Sequence, residues 1–305
     1  MGDKKMRRFG WLVFTIALLY LVAFGIASYL KGGGFEENRI AVIEIHGAII
    51  TEDASSKFFG TPKVTSDSVK QQLKKAQEDD SIKGILVDIN SPGGTVVASK
   101  EIADALKRVN KTKIAVIREI GTSGAYWIAA SADSIVANPL SITGSVGVSS
   151  SYLQFSKLFE KYGVGYERLV AGKYKDTGTP FRELTPEERE LLEKKMKIVH
   201  EEFLEDVKKQ RGLSESVVDE IAEGEFYLGR EAKELGLVDY LGDREFAVEL
   251  MKEELNISMP KLVKFKKKES LLSMLAKMSS YYFGKGIASE LSVGMKAEDG
   301  ISVNA

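Results

Sequence analysis

Apolar and polar positions along the chain follow an alternating pattern of strands and helices. Residues 39–49 (RIAVIEIHGAI) form an almost continuous apolar run that predicts a buried strand, and residues 66–80 (SDSVKQQLKKAQEDD) repeat apolar positions at helical spacing. The segments 82–89, 93–110 and 113–120 continue as strand, helix and strand. This order predicts an α/β fold that is built from βαβ units around a parallel sheet.

The second half of the chain continues this pattern and then becomes mainly helical. A long helix is predicted to begin at Thr185 as N-cap, with Pro186 at its first position and Glu188 completing a capping box, and to end near Arg211. The other predicted elements are strand segments in DSIVAN (133–138), SITGSVGVSS (141–150) and GYERLVA (165–171), and helices near 151–162, 214–223 and 243–255.

The N-terminal region contains an apolar run that is long enough to cross a membrane. From Phe9 to Leu30 there are 22 residues without a charge, and a helix that rises ~1.5 Å per residue spans a ~30 Å hydrocarbon core over such a length. Basic residues precede the run, which predicts a cytoplasmic N-terminus and an extracytoplasmic body. A signal peptide that is cleaved after Ala27 is the alternative, and it also exports the body.

These patterns divide the chain into four segments. Residues 1–31 are predicted as a cytoplasmic stub and transmembrane anchor, and residues 32–38 as a glycine-rich linker. Residues 39–255 form the α/β domain, and residues 256–305 a basic and amphipathic tail.

Composition limits the function classes. The 305 residues carry a net charge of −1, which provides no bulk attraction for nucleic acid. Cysteine is absent, which excludes disulfides, thiolate nucleophiles and cysteine metal sites. The two histidines, His46 and His200, are interpreted as packing or surface residues because neither lies near a candidate nucleophile in sequence.

Candidate chemistry lies where two predicted strands end in glycine-rich turns. In SPGG (91–94) the amides of Gly93 and Gly94 are predicted to be unpaired at a helix N-terminus, where they suit an oxyanion or a phosphate. The next strand ends in GTSG (121–124), and neighbouring parallel strands would bring the two turns together. From the residues alone, Ser123 is either a helix N-cap or a nucleophile.

Four separated motifs resemble a known family in their order and spacing. SPGG (91–94), SGAYWIAASAD (123–133), TGSVGV (143–148) and GKYKD (172–176) look like the signal peptide peptidase, or protease IV, family of serine peptidases. The resemblance covers about residues 39–255 and is to the short, single-module, membrane-anchored branch. It implies a Clp/crotonase-like fold of repeated ββα (βαβ) units behind an N-terminal transmembrane helix.

The resemblance also implies roles for individual residues. Ser123 would be the nucleophile and Lys175, 52 residues further on, the general base. Because the family brings the two from neighbouring modules, the resemblance implies that Lys175 reaches Ser123 from an adjacent subunit. A lysine accepts a proton only when burial or nearby positive charge lowers its pKa from about 10.4. Ser145 would orient the lysine. The amides of Gly93, Gly94 and Gly124 would form the oxyanion hole.

The implied function is cleavage of signal peptide remnants and other short apolar peptides at the outer face of the membrane, by a homo-oligomeric ring or dome. Neither a cofactor nor a metal is expected, and nucleic acid is not an expected partner. Three alternatives remain at this point: a membrane Clp-like peptidase that acts on tails of stomatin-type partners, a crotonase-type acyl-CoA enzyme, and an inactive scaffold.

Overall fold

The computed structural model describes residues 11, 14–25, 38–52 and 62–265 of the chain. Within these residues the strands are β1 (Arg39–His46), β2 (Ala48–Ile50), β3 (Lys63–Thr65), β4 (Ile82–Ser91), β5 (Thr112–Thr122), β6 (Ser134–Ala137), β7 (Ile142–Gly144), β8 (Phe226–Leu228), β9 (Tyr240–Leu241) and β10 (Lys261–Lys264). The helices of the domain are α1 (Ser66–Glu78), α2 (Val96–Lys107), α3 (Gly124–Ala129), α4 (Ser156–Lys161), α5 (Pro186–Arg211), α6 (Glu215–Ile221), α7 (Gly229–Glu234) and α8 (Arg244–Leu255).

A parallel sheet with the strand order β10-β1-β4-β5-β6-β9 forms the centre of the domain. At the end of β5, β7 adds in parallel and pairs in turn with antiparallel β8. The predicted α/β fold with a parallel sheet is therefore confirmed. Ser91 pairs with Gly121 across β4 and β5, so the two glycine-rich turns lie side by side as predicted.

Helices cover both faces of the sheet. α8 packs on one face and closes a fully buried apolar cluster, while α1, α2 and α3 pack against the strands from the other face. This two-sided burial explains why the central strands are almost uniformly apolar. The members of the α8 cluster are Ile40, Val42, Leu86, Ile114, Val116, Val136, Ala247 and Met251.

The predicted long helix is confirmed at both ends. α5 begins at Pro186 after the Thr185 N-cap, and the reciprocal hydrogen bonds of the capping box with Glu188 are both present. The helix ends at Arg211, where Gly212 adopts a left-handed conformation with φ +63°.

Two strand predictions need correction. The predicted strand 39–49 is interrupted at Gly47, which has φ +77° and lies against the backbone of Pro62, so β1 and β2 are separate strands. The predicted strand segment 165–171 has no sheet partner within the described residues and is irregular. Its apolar side chains are exposed, so the apolar pattern that predicted a buried strand here does not correspond to burial in the sheet.

Residues 151–181 form an extended segment, here called the arm, with many exposed apolar side chains. α4 lies within it and contains no buried residue. Large apolar side chains that are exposed along the arm are Tyr152, Leu153, Leu158, Tyr162, Val164, Tyr166, Leu169, Val170, Tyr174 and Phe181. Contiguous apolar exposure of this kind marks an interaction surface in soluble domains.

The predicted anchor is described only in part. Its described part, residues 14–25, is helical, and no helix among the described residues is both long and apolar enough to span a membrane. The predicted linker 32–38 and most of the predicted tail 256–305 also lie outside the described residues. The described part of the tail contributes the edge strand β10.

Candidate active site

Ser123 lies at the junction between β5 and α3 in an unusual backbone conformation. Its φ is +54° and its ψ is −126°, a region that residues with a side chain rarely occupy. Holding such a residue costs about 1–3 kcal/mol, and residues of this kind concentrate at functional sites. The strain therefore favours a functional role for the Ser123 side chain.

Ser123 occupies the N-cap position of α3, but its hydroxyl does not cap the helix. The carbonyl of Ser123 accepts the first helical hydrogen bond from Trp127 at 3.0 Å, whereas its side chain makes no capping hydrogen bond. The cap interpretation of this serine is therefore wrong for its side chain. The hydroxyl is free to take part in chemistry.

A cavity of about 570 Å³ opens at Ser123. Because β5 leads to Ser123 and β7 leads to Ser145, the pairing of these two strands brings both serines to the cavity. The residues that line it are Pro92, Gly94, Val96, Thr122, Ser123, Ser145, Gly147, Val148, Ser149, His200, Ala222, Glu223 and Gly224.

The backbone amides of the two glycine-rich turns differ in their hydrogen bonding. Within the described residues, the N–H groups of Gly94 and Gly124 donate to nothing. By contrast, the N–H of Gly93 donates to the Ser91 hydroxyl at 3.1 Å, so the prediction that this amide is unpaired is wrong. Gly94 and Gly124 therefore remain as candidate donors to an oxyanion.

Close packing explains why both positions are glycines. A Cβ on Gly124 would lie 2.1 Å from the Ser99 hydroxyl, and a Cβ on Gly94 would lie 2.0 Å from the Ile49 carbonyl oxygen. A Cβ on Gly93 would lie 3.0 Å from the Cβ of Ser123. A side chain at any of these positions would displace its neighbours and disturb the placement of the unpaired amides.

Ser145 is held next to Ser123 by the backbone. The Ser123 amide donates to the Gly144 carbonyl at 2.9 Å, and the Ser145 amide donates to the Glu225 carbonyl at 2.8 Å. Ser145 itself has φ +51°, a second strained position in the same cavity. The two hydroxyl groups are thus placed on one rigid pair of strand ends.

His200 also lines the cavity, which its position in the sequence did not indicate. Its Nε2 donates to the Val146 carbonyl at 3.0 Å, so α5 is tied to the segment that carries Ser145. His200 is 77 residues from Ser123 in the sequence. The two residues come close only because of the way α5 crosses the domain, which the sequence pattern does not specify.

Lys175 is not at the cavity in the single chain. It is exposed on the arm, in a turn where its amide donates to the Gly172 carbonyl at 3.2 Å. It lines neither this cavity nor the small apolar cavity beside it. The structure therefore brings Ser123, Ser145 and the glycine amides together, but it does not bring Lys175 to them within one chain.

An ion cluster fixes the backbone directly after Lys175. Arg168 and Arg182 both contact Asp176, and Arg182 also contacts Glu188 at the start of α5. Hydrogen bonds from Arg168 and then Arg182 hold the pKa of Asp176 well below its ordinary value. Those from Arg182 and the Thr185 amide lower the pKa of Glu188 to about 2. The arm is thereby attached to α5 next to Lys175.

His46 lies away from Ser123, beside a separate cavity of about 540 Å³. Its Nε2 is 3.4 Å from buried Asp88, and Glu44 is near enough to complete a possible metal-ligand set. Burial raises the pKa of Asp88, but His46, Arg118 and Arg244 outweigh burial and keep it below its ordinary value. Lys264 pairs with Glu44, and Arg118 and Arg244 pair with Asp88. Both carboxylates of this possible metal-ligand set therefore already have cationic partners.

Comparison with protein families gives two matches. The profile of peptidase family S49 matches residues 105–258, a range that includes Ser123, Ser145 and Lys175. The profile of Clp protease matches residues 58–139, which include both glycine-rich turns.

Individual proteins are similar over most of the domain. A protein of Methanocaldococcus jannaschii that is named as a protease is 38% identical over 231 residues, which cover 75% of this chain and 74% of that protein. An Enterococcus faecium protein named as a signal peptide peptidase is 32% identical over 76% of this chain and 68% of its own length. Protease 4 of Haemophilus influenzae is 32% identical over 72% of this chain and 35% of its own length.

Proposed function

The chain belongs to peptidase family S49 and is a serine peptidase, and from this premise we propose that it is a membrane-anchored endopeptidase that cleaves signal peptide remnants and other short apolar peptides. Family membership favours peptidase chemistry over the acyl-CoA alternative. The name of the Enterococcus faecium relative supports the substrate class.

One observation carries the proposed mechanism. Ser123 is strained, its hydroxyl has no hydrogen bond within the described residues, and it lies beside the two glycine-rich turns whose Gly94 and Gly124 amides are unpaired. A carbonyl carbon at the Ser123 hydroxyl would place its oxygen near these amides. Each donor of an oxyanion hole contributes about 3 kcal/mol to transition-state stabilisation.

The reaction proceeds in two stages. The Ser123 hydroxyl attacks the scissile carbonyl, its proton passes to a neutral Lys175 amine, and the amides of Gly94 and Gly124 bind the oxyanion. The C–N bond then breaks, and Lys175 returns the proton to the leaving amine. Water, deprotonated by Lys175, hydrolyses the acyl-enzyme. The Ser145 hydroxyl orients the Lys175 amine toward the Ser123 hydroxyl.

A second copy of the chain is the proposed source of Lys175. Lys175 is exposed and lies on the arm, whose large apolar side chains are exposed along its whole length. A neighbouring subunit that covers the arm would bury these side chains and remove Lys175 from water. A ring of such contacts follows if the arm of each subunit reaches the cavity of the next.

The proposed substrate preference rests on the small cavity beside Ser123. Its volume is about 20 Å³, and its wall includes Val96, Val148, Val199 and the stacked rings of Trp127 and Phe203, whose centroids are 4.3 Å apart. Among the described residues, those that line it carry no charge. A small apolar side chain fits such a space, whereas a ring or a charge does not.

We expect peptides with alanine before the scissile bond to have a kcat/KM on the order of 10–100 times that of matched peptides with phenylalanine. The measurement is hydrolysis of a fluorogenic peptide series that differs only at this residue. Val199→Ala widens the cavity and should lower the ratio of kcat/KM between alanine and phenylalanine peptides. Val97→Ala changes a residue outside the cavity and should leave this ratio unchanged. Equal turnover of alanine, phenylalanine and lysine peptides would contradict the assignment of this cavity.

The membrane anchor is proposed from the uncharged run of 22 residues between Phe9 and Leu30. We expect the full chain to remain in the membrane fraction after an alkaline carbonate wash. Replacing Leu19 and Leu21 by arginine should release it, because each charge at the helix centre costs about 2.5–3.5 kcal/mol. A soluble product that begins at Ser28, identified by mass, would show a cleaved signal peptide instead.

A further inference from the structure

We propose that Ser91 is a positioning residue for the reaction at Ser123. Its hydroxyl turns the Gly93 amide away from the cavity and thereby holds the loop that presents the Gly94 amide to the oxyanion. This inference rests on the proposed function, since it concerns the same oxyanion site.

The Ser91 side chain is fully buried at the end of β4. Its Oγ donates to the Gly47 carbonyl at 2.6 Å and accepts from the Gly93 amide at 3.1 Å. A serine hydroxyl has one donor hydrogen and two acceptor lone pairs, so this single group bridges two backbone segments. One of these segments is the oxyanion loop, residues 93–95.

The other segment is a rigid anchor. The Gly47 amide donates to the Asn90 carbonyl at 3.0 Å, and the Ala48 amide donates to the Pro62 carbonyl at 3.0 Å. Gly47 packs so tightly that a Cβ there would lie 1.9 Å from the Pro62 oxygen. The carbonyl that receives the Ser91 hydroxyl therefore has little freedom to move.

β2 holds the oxyanion loop from its other side. The Ile49 amide donates to the Gly93 carbonyl at 3.0 Å, and the Thr95 amide donates to the Ile49 carbonyl at 2.9 Å. Together with the Ser91 bond, these contacts occupy the polar groups around Gly94 and leave its own amide unpaired. Gly94 is exposed where it lines the cavity, so this amide can meet a substrate oxygen.

Loss of the Ser91 hydroxyl would leave the buried Gly93 amide without its partner and would remove one donor from the partly exposed Gly47 carbonyl. Gly93 has φ +98°, a conformation that glycine readily leaves, so the peptide before Gly93 can rotate to recover a hydrogen bond. Such a rotation would move the Gly94 amide out of line with the oxyanion. The transition state would lose a donor while the ground state of the bound peptide would change little.

The test compares Ser91→Ala with the wild-type full chain. We expect kcat to fall on the order of 10–100-fold, KM to stay within about two-fold, and the Ki of a peptide aldehyde to rise by the factor by which kcat falls. The aldehyde reports the oxyanion site directly, because its adduct with Ser123 carries a tetrahedral oxygen. Ser91→Thr, which keeps a hydroxyl, should recover most of the kcat.

Ser131→Ala is the matched control. Ser131 is also a buried serine whose hydroxyl donates to a backbone carbonyl, that of Trp127, at 3.1 Å, but it lies at the far end of α3. We expect this variant to keep its kcat and its aldehyde Ki. If Ser91→Ala does not fold, Ser91→Cys is used, because a thiol of similar shape forms only weak hydrogen bonds.

The proposal is wrong if Ser91→Ala, or Ser91→Cys in its place, changes kcat no more than Ser131→Ala does, or if KM rises while the aldehyde Ki stays constant. Failure of the proposed function has a different signature. In that case the wild-type chain does not cleave peptides, and a fluorophosphonate does not label Ser123.

Discussion

Replacing Ser123 by alanine is expected to lower kcat/KM for peptide hydrolysis by on the order of 10⁴-fold or more. The alanine chain keeps the unpaired amides of Gly94 and Gly124, so it still binds substrate and polarises the carbonyl, but it cannot form an acyl-enzyme. The measurement is steady-state hydrolysis of an alanine-containing fluorogenic peptide. Residual activity above about one hundredth of wild type would contradict the assignment of the nucleophile.

The fold should not suffer from this change, because the Ser123 hydroxyl makes no capping hydrogen bond. Ser123→Gly provides a sharper control. Glycine accepts a φ of +54° without strain, so the free energy of unfolding should rise by about 1 kcal/mol even though activity is lost. Chemical denaturation of the three proteins measures this difference. If Ser123→Gly is less stable than the wild-type chain, the backbone of Ser123 is not strained.

Mixing two inactive variants is expected to restore activity if Lys175 acts across a subunit interface. Ser123→Ala and Lys175→Ala should each be inactive alone. After dissociation and random reassembly, about one quarter of the interfaces would pair an intact serine with an intact lysine. The physical reason is that Lys175 is exposed on the arm and absent from the Ser123 cavity of its own chain. The measurement is peptide hydrolysis after reassembly of equal amounts of the two variants.

A second mixture tests the same geometry from the opposite direction. When wild type is reassembled with an equal amount of a Ser123→Ala/Lys175→Ala double variant, a shared site predicts about one quarter of full activity, and a site within one chain predicts about one half. Native mass spectrometry confirms that subunits have exchanged. No recovery in the first mixture, together with one half in the second, would place both residues in one subunit.

Much of the fold follows from local patterns. The capping box at Thr185 and the apolar runs of β1, β4 and β5 are visible in the sequence, because capping and burial act on residues that are close along the chain. Several short elements were not predicted. β8 and β10, at 226–228 and 261–264, depend on partners that are distant in sequence, and an apolar segment such as 165–171 looks like a strand although it has none.

The candidate site divides in the same way. Motif spacing indicated Ser123, Ser145 and Lys175, but it did not indicate that the Gly93 amide is bound to Ser91 or that His200 faces the cavity. Glycines in a turn indicate that unpaired amides can occur there, but they do not show which amide is unpaired. Which amide stays free depends on hydrogen bonds from residues such as Ile49, which lies more than 40 positions earlier.

By itself, then, the sequence determined the α/β class, the order of its main helices and strands, and the residue types available for acyl transfer, since these depend on periodicity and on chemical groups. Only the tertiary structure decided that Ser123 is strained, that Gly94 and Gly124 rather than Gly93 have unpaired amides, and that Lys175 is exposed away from the cavity. Backbone strain, hydrogen-bond pairing and exposure are properties of packed neighbours, and a linear pattern does not specify those neighbours.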